Sequence, residues 1–474
     1  MRARSVSSKA AAAPLGTTIP RQSLRRIITG ALPLAIALVT AGACTHFTPY
    51  YRGKQPHGVD AVEDAAVDHR LLLIGDAGDP DRAGEPALQL LAHQVQLLPE
   101  RTTVVFLGDN VYERGMPTLE EKPVGEQVAE VVAAPIVNIS DDREAAERII
   151  NAQIDAVRGS AARAIFVPGN HDWDPFEDGG WGRVVALQDF IAGVAEDGKT
   201  HVSLLPTGGC PGPVAVSLGR TGELIVLDTE WWLEAGPTAP KPAPDDNPTR
   251  CQFTTEQQVR DALEKELESA AKQKRWAIVV AHHPMDSRGS HGGFLDARTH
   301  IFPFQVARHY VPFYIEWIPI PIVGSLVVAA RNYASPSPED MVNRHYRHMR
   351  NALMHSMEQA ADKQAAPLAY AGGHDHSLQV FESRHGPEYS LVSGLGCHSR
   401  ASDVGDNSHT LFAHANPFNP GFMQIDFLKN GAVRLAVIEW SKEQPNGTEV
   451  YSTFLAEPGS VPGVRPDLRH VARK

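Results

Sequence analysis

Six short apolar runs, each followed closely by an acidic residue or a histidine, constrain the fold of this 474-residue chain more than any other feature. They are RLLLIGD, TVVFLGD, AIFVPGNHD, ELIVLDTE, WAIVVAHH and LAYAGGHDH. Runs of this length are typical of buried strands, and the stretches between them carry apolar residues three and four positions apart, as amphipathic helices do. The clearest such stretches are EPALQLLAHQVQLL, DREAAERIINAQIDAV and TEQQVRDALEKELESAAKQ. The alternation predicts an α/β protein whose sheets are covered by helices.

The pattern also divides the chain into parts. Residues 44–68 are polar and aperiodic, as expected of a tether. The alternation begins at His69, changes to successive strands toward its end and stops near Trp440. We therefore assign residues 69–440 to one domain and interpret residues 441–474 as a C-terminal tail.

Two segments look inserted into this domain. KPAPDDNPTR, near residues 237–251, is a surface loop by composition. The second insert, residues 296–339, contains PFYIEWIPIPIVGSLVVAA, whose uncharged part from Trp317 to Ala330 is only 14 residues long and contains two prolines. This part is too short to span a membrane. It can be a packed flap, an interfacial loop or a segment buried in the core, and core burial is the interpretation we favour.

The first forty-odd residues form a separate leader. Six basic residues precede IITGALPLAIALV, an uncharged stretch that is too short and too interrupted by Gly and Pro for a membrane span, so residues 1–43 are predicted to be an export signal. The leader ends in AGAC, which is similar to a bacterial lipobox, although Ala41 stands where such boxes prefer Leu. The resemblance implies a lipid-anchored chain with Cys44 as its first residue, in a bacterial periplasm or cell envelope. A plain signal peptide cut nearby is the alternative.

Charge limits the partners of the exported chain. Removal of the leader would take away six positive charges and no negative ones, which leaves 38 Lys and Arg residues against 56 Asp and Glu and changes the formal charge from −12 to −18. Such a surface disfavours nucleic-acid binding through a basic patch, but it allows a small phosphorylated substrate held by a local cation. Outside the cytosol Cys210 and Cys251, which bracket a proline-rich loop, can form a disulfide, although the sequence alone does not assign it.

The residues that follow the predicted strands are of one chemical kind. In LAYAGGHDH, for example, two glycines let the backbone turn sharply before two histidines. Carboxylate, amide, phenol and imidazole groups at strand ends suit hard or borderline metals such as Fe, Mn and Zn, and open α/β sheets keep their chemistry at this edge. The residues are Asp76 in GDAGD, Asp109 and Tyr112 in GDNVY, Asn170 and His171 in GNHD, His282 in AHHP, and His374 and His376 in GHDH.

In their order and local spacing these motifs resemble those of the calcineurin-like metallophosphoesterases, and the similarity spans His69 to Trp440. Most members carry Asp, any residue and His in the first motif, whereas this chain has Asp76-Ala77-Gly78, and its second motif supplies Tyr112. Both features are similar to the purple acid phosphatases, in particular the small tartrate-resistant type. The fold implied is a four-layer α/β/β/α sandwich of two mixed sheets flanked by helices.

The resemblance also implies a pair of metal ions. The first ion would be held by Asp76, Tyr112 and His376, and the second by Asn170, His282 and His374. Asp109 would bridge the two ions. A phenolate and carboxylates favour Fe(III) in the first position, and the less charged second set favours Fe(II), Zn or Mn.

Two further histidines have implied roles at this centre. By the same resemblance His171 and His291 would bind phosphate and protonate the leaving oxygen. His283, next to a ligand, is expected either to orient that ligand or simply to pack against it.

The implied function is acid phosphatase-like hydrolysis of phosphate monoesters, in which solvent activated by the two ions attacks phosphorus in line. Hydrolysis of phosphodiesters or nucleotides by the same metals is an alternative, because the ligands do not encode that choice. A third hypothesis is a catalytically silent lipoprotein that binds a partner through the apolar insert.

Overall fold

The computed structural model describes residues 49–51, 58–118, 143–174, 180–196, 198–233, 251–295, 297–304, 315, 317–335, 337–383 and 385–465. The predicted export signal, Cys44 and nearly all of the insert near 237–251 lie outside the described residues.

The described residues form fifteen strands and eight α-helices. The strands are β1 Tyr50–Tyr51, β2 Val67–Ile74, β3 Thr102–Phe106, β4 Arg163–Phe166, β5 His201–Leu204, β6 Val214–Leu218, β7 Gly222–Val226, β8 Trp276–Val280, β9 Ala369–Gly372, β10 Leu378–Glu382, β11 Tyr389–Ser393, β12 Thr410–His414, β13 Gly421–Leu428, β14 Val433–Glu439 and β15 Thr448–Ala456. The helices are α1 Pro86–Leu97, α2 Arg143–Ile154, α3 Gly180–Ala195, α4 Glu230–Leu233, α5 Glu256–Lys272, α6 Ala297–Ile301, α7 Pro321–Ala334 and α8 Arg344–Asp362.

The strands form two mixed sheets. One has the order β15-β14-β13-β2-β3-β4-β5, in which β2 to β5 are parallel and β13 to β15 are antiparallel additions. The other has the order β1-β12-β10-β11-β9-β8-β7-β6, with β7, β8, β9 and β11 parallel. All six apolar runs are strands, namely β2, β3, β4, β7, β8 and β9.

The two faces of each sheet bury different layers. In β2, Leu71 and Leu73 belong to the core between the two sheets, whereas Leu72 and Ile74 belong to the core under the helices. This alternation follows from the two-residue period of a strand, and it explains why both faces are apolar. The predicted four-layer sandwich of two mixed sheets flanked by helices is confirmed.

The segments on either side of the predicted domain contribute to the sheets. In the segment interpreted as a tether, Tyr50 and Tyr51 form β1 and pair with β12. In the segment interpreted as a tail, β15 pairs with β14 along most of its length.

Cys210 and Cys251 form a disulfide, and the third cysteine outside the leader, Cys397, is a buried free thiol.

The apolar insert differs from the favoured interpretation. The interpretation of this insert as part of the core was wrong, because Ile322 and Leu326 of α7 are exposed. Helix α7 packs on α6, where Gly324 lies close to the backbone of His300. A composition of Ile, Val and Leu looks the same in a core and on an exposed face, so the sequence alone does not separate the two. Among the described residues no helix has both the length and the apolar character needed to cross a membrane.

Candidate metal centre

The carboxyl ends of five strands, β2, β3, β4, β8 and β9, meet at one edge of the two sheets. Each of these strands is followed within a few positions by one or more of the residues singled out in the sequence. The structure brings together all seven predicted metal ligands, and the two predicted phosphate-binding histidines lie against them.

One group of side chains surrounds the hydroxyl of Tyr112. This oxygen lies 3.0 Å from Asp76 Oδ1, 2.9 Å from Asp109 Oδ2 and 3.1 Å from His376 Nε2. His376 Nδ1 lies 2.8 Å from the carbonyl oxygen of Arg400 and donates to it, so Nε2 carries the lone pair. The single phenolic proton can therefore serve only one of three surrounding acceptor atoms. A cation at this place would bind the lone pairs that the proton leaves unsatisfied.

A second group of side chains, His282, His374 and Asn170, also has more hydrogen-bond acceptors than protons. His282 donates from Nδ1 to the carbonyl of Leu107 (2.8 Å), and His374 donates from Nε2 to the carbonyl of Glu339 (2.9 Å). When both rings are neutral, the opposite nitrogens, His282 Nε2 and His374 Nδ1, are acceptors, and they lie 3.2 Å apart. Asn170 Oδ1 is 2.9 Å from His282 Nε2 and 3.2 Å from His374 Nδ1. Buried acceptors are not brought together without a donor or a cation between them.

Asp109 connects the two groups. Its Oδ2 contacts Tyr112, and its Oδ1 lies 3.4 Å from His282 Nε2 and accepts a hydrogen bond from the backbone of His171 (3.0 Å). Each group thus has one oxygen of the same carboxylate, as a bridging ligand requires. The oxygen-rich first group and the imidazole-rich second group fit hard and borderline cations respectively.

Backbone geometry at the strand ends is unusual in three of these residues. Asp76, Asp109 and His374 have φ angles of 59°, 54° and 68°. Residues other than glycine pay about 1–2 kcal/mol in this left-handed region, and such strain is retained mainly where the surrounding structure enforces it at functional sites.

Glycines beside these residues permit close approach. A Cβ on Gly373 would lie 2.6 Å from Asp76 Oδ2, and one on Gly169 would lie 2.4 Å from Asp109 Oδ1. The sharp turn in LAYAGGHDH is made by His374, which has the positive φ, so the second glycine is required for space and not for the turn.

Burial and neighbouring charges set the protonation states of Tyr112, Asp109 and His374. Burial, Asp109 and Asp76 all raise the pKa of Tyr112 well above its usual value, so the phenol keeps its proton unless a cation replaces it. Burial alone would raise the pKa of Asp109, but His282 and His171 outweigh it and lower that pKa. Burial lowers the pKa of His374 well below its usual value, and its histidine neighbours act in the same direction. Asp109 is thus a carboxylate and His374 a neutral imidazole, the forms in which both bind metals.

The two predicted phosphate-binding histidines lie on opposite sides of the centre. The ring of His171 contacts Tyr112 with centroids 4.5 Å apart, and its Nδ1 lies 2.5 Å from the carbonyl of Glu113. The ring of His291 lies over His374 with centroids 4.1 Å apart. Both rings are partly exposed, unlike those of His282 and His374.

His291 is held by residues of the second insert and its border. Its Nδ1 lies 3.0 Å from Asp340 Oδ1, and Asp340 also accepts hydrogen bonds from Arg331 (2.6 and 2.8 Å) and from Ser335 (2.5 Å). Burial alone would lower the pKa of His291, but the hydrogen bond and the charge of Asp340 outweigh it and raise that pKa. The sequence analysis did not identify Asp340, because nothing local connects it to a residue 49 positions away.

His283 is part of the support and not of the ligand group. Its Nδ1 lies 2.9 Å from Thr229 Oγ1, and its Nε2 lies 2.9 Å from Glu339 Oε2. Both ring nitrogens are therefore hydrogen bonded to residues outside the second acceptor group. Glu230 and Glu339 both approach this ring, and the three side chains are buried. The position of His283 agrees with an orienting role.

Three further residues were missed by sequence reasoning. Asp172 of GNHD accepts hydrogen bonds from the backbone of Asn110 and Gly169, and Asp375 of GHDH accepts from the backbone of His291. Each is an acidic residue inside a ligand motif, which is the signal that could have identified them. Arg400 places its guanidinium carbon 3.6 Å from the centre of the Tyr112 ring and carries no such signal.

The chain is similar to a known protein family and, more weakly, to solved structures. A family model described as calcineurin-like phosphoesterase matches residues 69–311. Similar solved structures include GAP50, the anchor in the inner membrane complex of Plasmodium, with 16% identity, a TM-score of 0.45 and coverage of 85% of this chain and 94% of that chain. Another is a dimetal phosphatase from Danio rerio, with 10% identity, a TM-score of 0.39 and coverage of 82% of this chain and 99% of that chain. A search of curated proteins finds no match.

Proposed function

Because the chain belongs to the calcineurin-like phosphoesterase family, we propose that it is a phosphohydrolase of the purple acid phosphatase type that acts on phosphate monoesters. The observation that carries the proposal is the pair of acceptor groups joined by Asp109, each with more lone pairs than protons. When bound there, two metal ions would activate water and neutralise charge on the phosphoryl oxygens.

The residues of the chain divide the remaining work. Asp76, Tyr112 and His376 would hold one ion, and Asn170, His282 and His374 the other. His291 has its Nδ1 engaged by Asp340, which leaves Nε2 to carry the proton that a leaving alkoxide needs. His171, on the other side of the centre, would donate to a phosphoryl oxygen.

A substrate panel tests the reaction class. We expect the purified, metal-loaded protein to hydrolyse 4-nitrophenyl phosphate at least about tenfold faster, in kcat/KM, than bis(4-nitrophenyl) phosphate. Chelation should abolish the activity, and added Fe, Zn or Mn should restore it. A preference for the diester would favour the phosphodiesterase alternative, and metal binding without turnover on either substrate would favour a silent binding protein.

The metal in the first position can be identified by colour. Asp76, Asp109 and the Tyr112 phenol would favour Fe(III), and a phenolate bound to Fe(III) absorbs visible light. Arg400, stacked on the ring, would help to stabilise that phenolate. We expect Tyr112→Phe, compared with the unsubstituted chain at equal bound iron, to lack the visible absorption band, because Phe has no phenolic oxygen. A band that survives the substitution would contradict Tyr112 as a ligand.

We further propose that the mature chain acts outside the cytoplasm, anchored by a lipid on Cys44. The basic and apolar leader with its AGAC end supports this location. The disulfide between Cys210 and Cys251 also supports it, because disulfides persist mainly in oxidising compartments. Mass spectrometry of the processed N-terminus tests the proposal, since an unmodified N-terminus at another residue would contradict it.

A further inference from the structure

Helix α7 presents its apolar side to the outside of the protein. Ile322, Leu326 and Tyr333 are 78%, 64% and 88% exposed, and their spacing of four and seven residues places them on one face of the helix. Gly324 and Val328, on the opposite face, are the buried residues. A helix on a water-exposed surface normally has polar residues outward and apolar residues inward, whereas α7 is apolar on its outer face as well as on its inner one.

The exposed apolar surface continues beyond this stripe. Val323 and Val327 flank it on the helix, and Trp317 and Ile318 extend it before the first turn. We call the seven side chains together the α7 face: Trp317, Ile318, Ile322, Val323, Leu326, Val327 and Tyr333. So many large apolar side chains exposed within one short segment indicate an interaction site.

None of the seven side chains of the α7 face is charged. No charged residue occurs between Trp317 and Ala330. The first cation, Arg331, turns inward and binds both oxygens of Asp340. The only hydroxyl inside the uncharged stretch, Ser325, is hydrogen bonded to His300.

From these features we infer that the α7 face docks into the surface of a lipid bilayer, with the helix lying in the plane of the membrane. Protein interfaces are enriched in aromatic residues and Arg and have a polar rim, whereas the centre of the α7 face is aliphatic. Its aromatic residues, Trp317 and Tyr333, stand at the two ends, and such rings favour the headgroup level of a bilayer.

The length of the helix agrees with an in-plane arrangement. Fourteen residues of α-helix span about 21 Å, short of the roughly 30 Å of a hydrocarbon core. An apolar helix face of this length can lie at the boundary between headgroups and acyl chains, and α7 differs from most such helices in having no polar face rich in Lys and Arg. A lipid on Cys44, as proposed above, would keep α7 close to the bilayer and raise its effective concentration there, so a face of modest size suffices.

The lipid required can be specified. The α7 face has no Lys or Arg to attract anionic headgroups, and the mature chain carries a formal charge of −18 if the leader is removed. Docking must therefore depend on apolar burial, and zwitterionic phosphatidylcholine vesicles should be sufficient.

Quenching of Trp317 by lipids brominated on their acyl chains tests the docking at the helix itself. We expect the full chain, mixed with such phosphatidylcholine vesicles, to show quenching that Trp317→Phe removes. The double variant I322S/L326S should need at least about tenfold more lipid for half-maximal quenching, because two exposed aliphatic side chains no longer enter the bilayer. Both substitutions replace exposed side chains, and Tyr333→Ser provides a second, independent variant with a smaller shift in the same direction.

A matched control is Phe418→Ser, which also removes a large apolar side chain. Phe418 is 70% exposed on a surface loop outside the α7 face, so its substitution should leave the quenching unchanged. No quenching that depends on Trp317, or equal quenching in I322S/L326S, would overturn the inference. Self-association in sedimentation that the same double substitution abolishes, without quenching by vesicles, would overturn it in favour of a second copy of the chain. None of these measurements uses hydrolysis, so the inference and the proposed function can fail separately.

Discussion

Replacing Asp109 by Ala is expected to abolish phosphoester hydrolysis and to release at least one metal ion per chain. Asp109 is the residue that contacts both acceptor groups, through Oδ2 to Tyr112 and through Oδ1 to His282. Its loss would separate the two ions and remove the charge that holds them together. We expect kcat to fall at least about 10³-fold, more than the loss of a single hydrogen-bond donor at an active site typically costs. Turnover and metal content should be measured on the same preparation.

Asp68→Asn is the matched control for this substitution. Asp68 is also buried and charged, but it lies near the start of β2, where it pairs with Arg220 far from the strand's carboxyl end. Its substitution should leave metal content and kcat unchanged, even if the protein becomes less stable. If Asp109→Ala kept two ions and full turnover while Asp68→Asn behaved in the same way, the candidate metal centre would be wrong.

The strands and the residues that follow them could be predicted because both depend on local sequence. A run such as TVVFLGD is apolar on both faces since β3 is covered by helices on one side and by the second sheet on the other. Parallel strands point their carboxyl ends to one edge, so Asp109 and Asn170 meet even though they are 61 positions apart in the chain. The order of the motifs was therefore sufficient to predict which strand ends come together, whereas the assignment of metal ligands came from the family resemblance and stays a prediction.

The contribution of the second insert could not be predicted in the same way. Glu339 orients His374 through its backbone carbonyl, which every residue type has, so its side chain gives no signal. Asp340 acts on His291 only because the chain folds back after α7. The exposed position of α7 also depends on which neighbours cover it, and no periodicity within PIVGSLVVAA shows that Gly324 and Val328 are buried while Ile322 and Leu326 are exposed.

Replacing Asp340 by Asn is expected to lower kcat about 10- to 100-fold with little change in KM, because Asp340 orients His291 without lying in the ligand groups themselves. Asn keeps the volume of the side chain but removes the negative charge that pairs with Arg331 and accepts a hydrogen bond from Ser335. A poorly held His291 would protonate the leaving oxygen less effectively. The loss should therefore be large for an alkyl phosphate, whose alkoxide needs the proton, and small for 4-nitrophenyl phosphate, whose phenolate leaves without it.

Asp286→Asn separates this positioning role from general damage to the fold. Asp286 has similar partners, since it accepts hydrogen bonds from Arg350 (2.9 Å) and Ser390 (3.2 Å), yet in the described part of the chain it makes no hydrogen bond with a histidine of the centre. Its substitution should affect both substrates equally and weakly. An equal loss on alkyl and 4-nitrophenyl phosphates in Asp340→Asn would contradict the role of Asp340, because a merely structural defect reduces the fraction of active protein without regard to the leaving group. A loss confined to the poor leaving group would instead mean that the second insert controls proton delivery at the candidate metal centre.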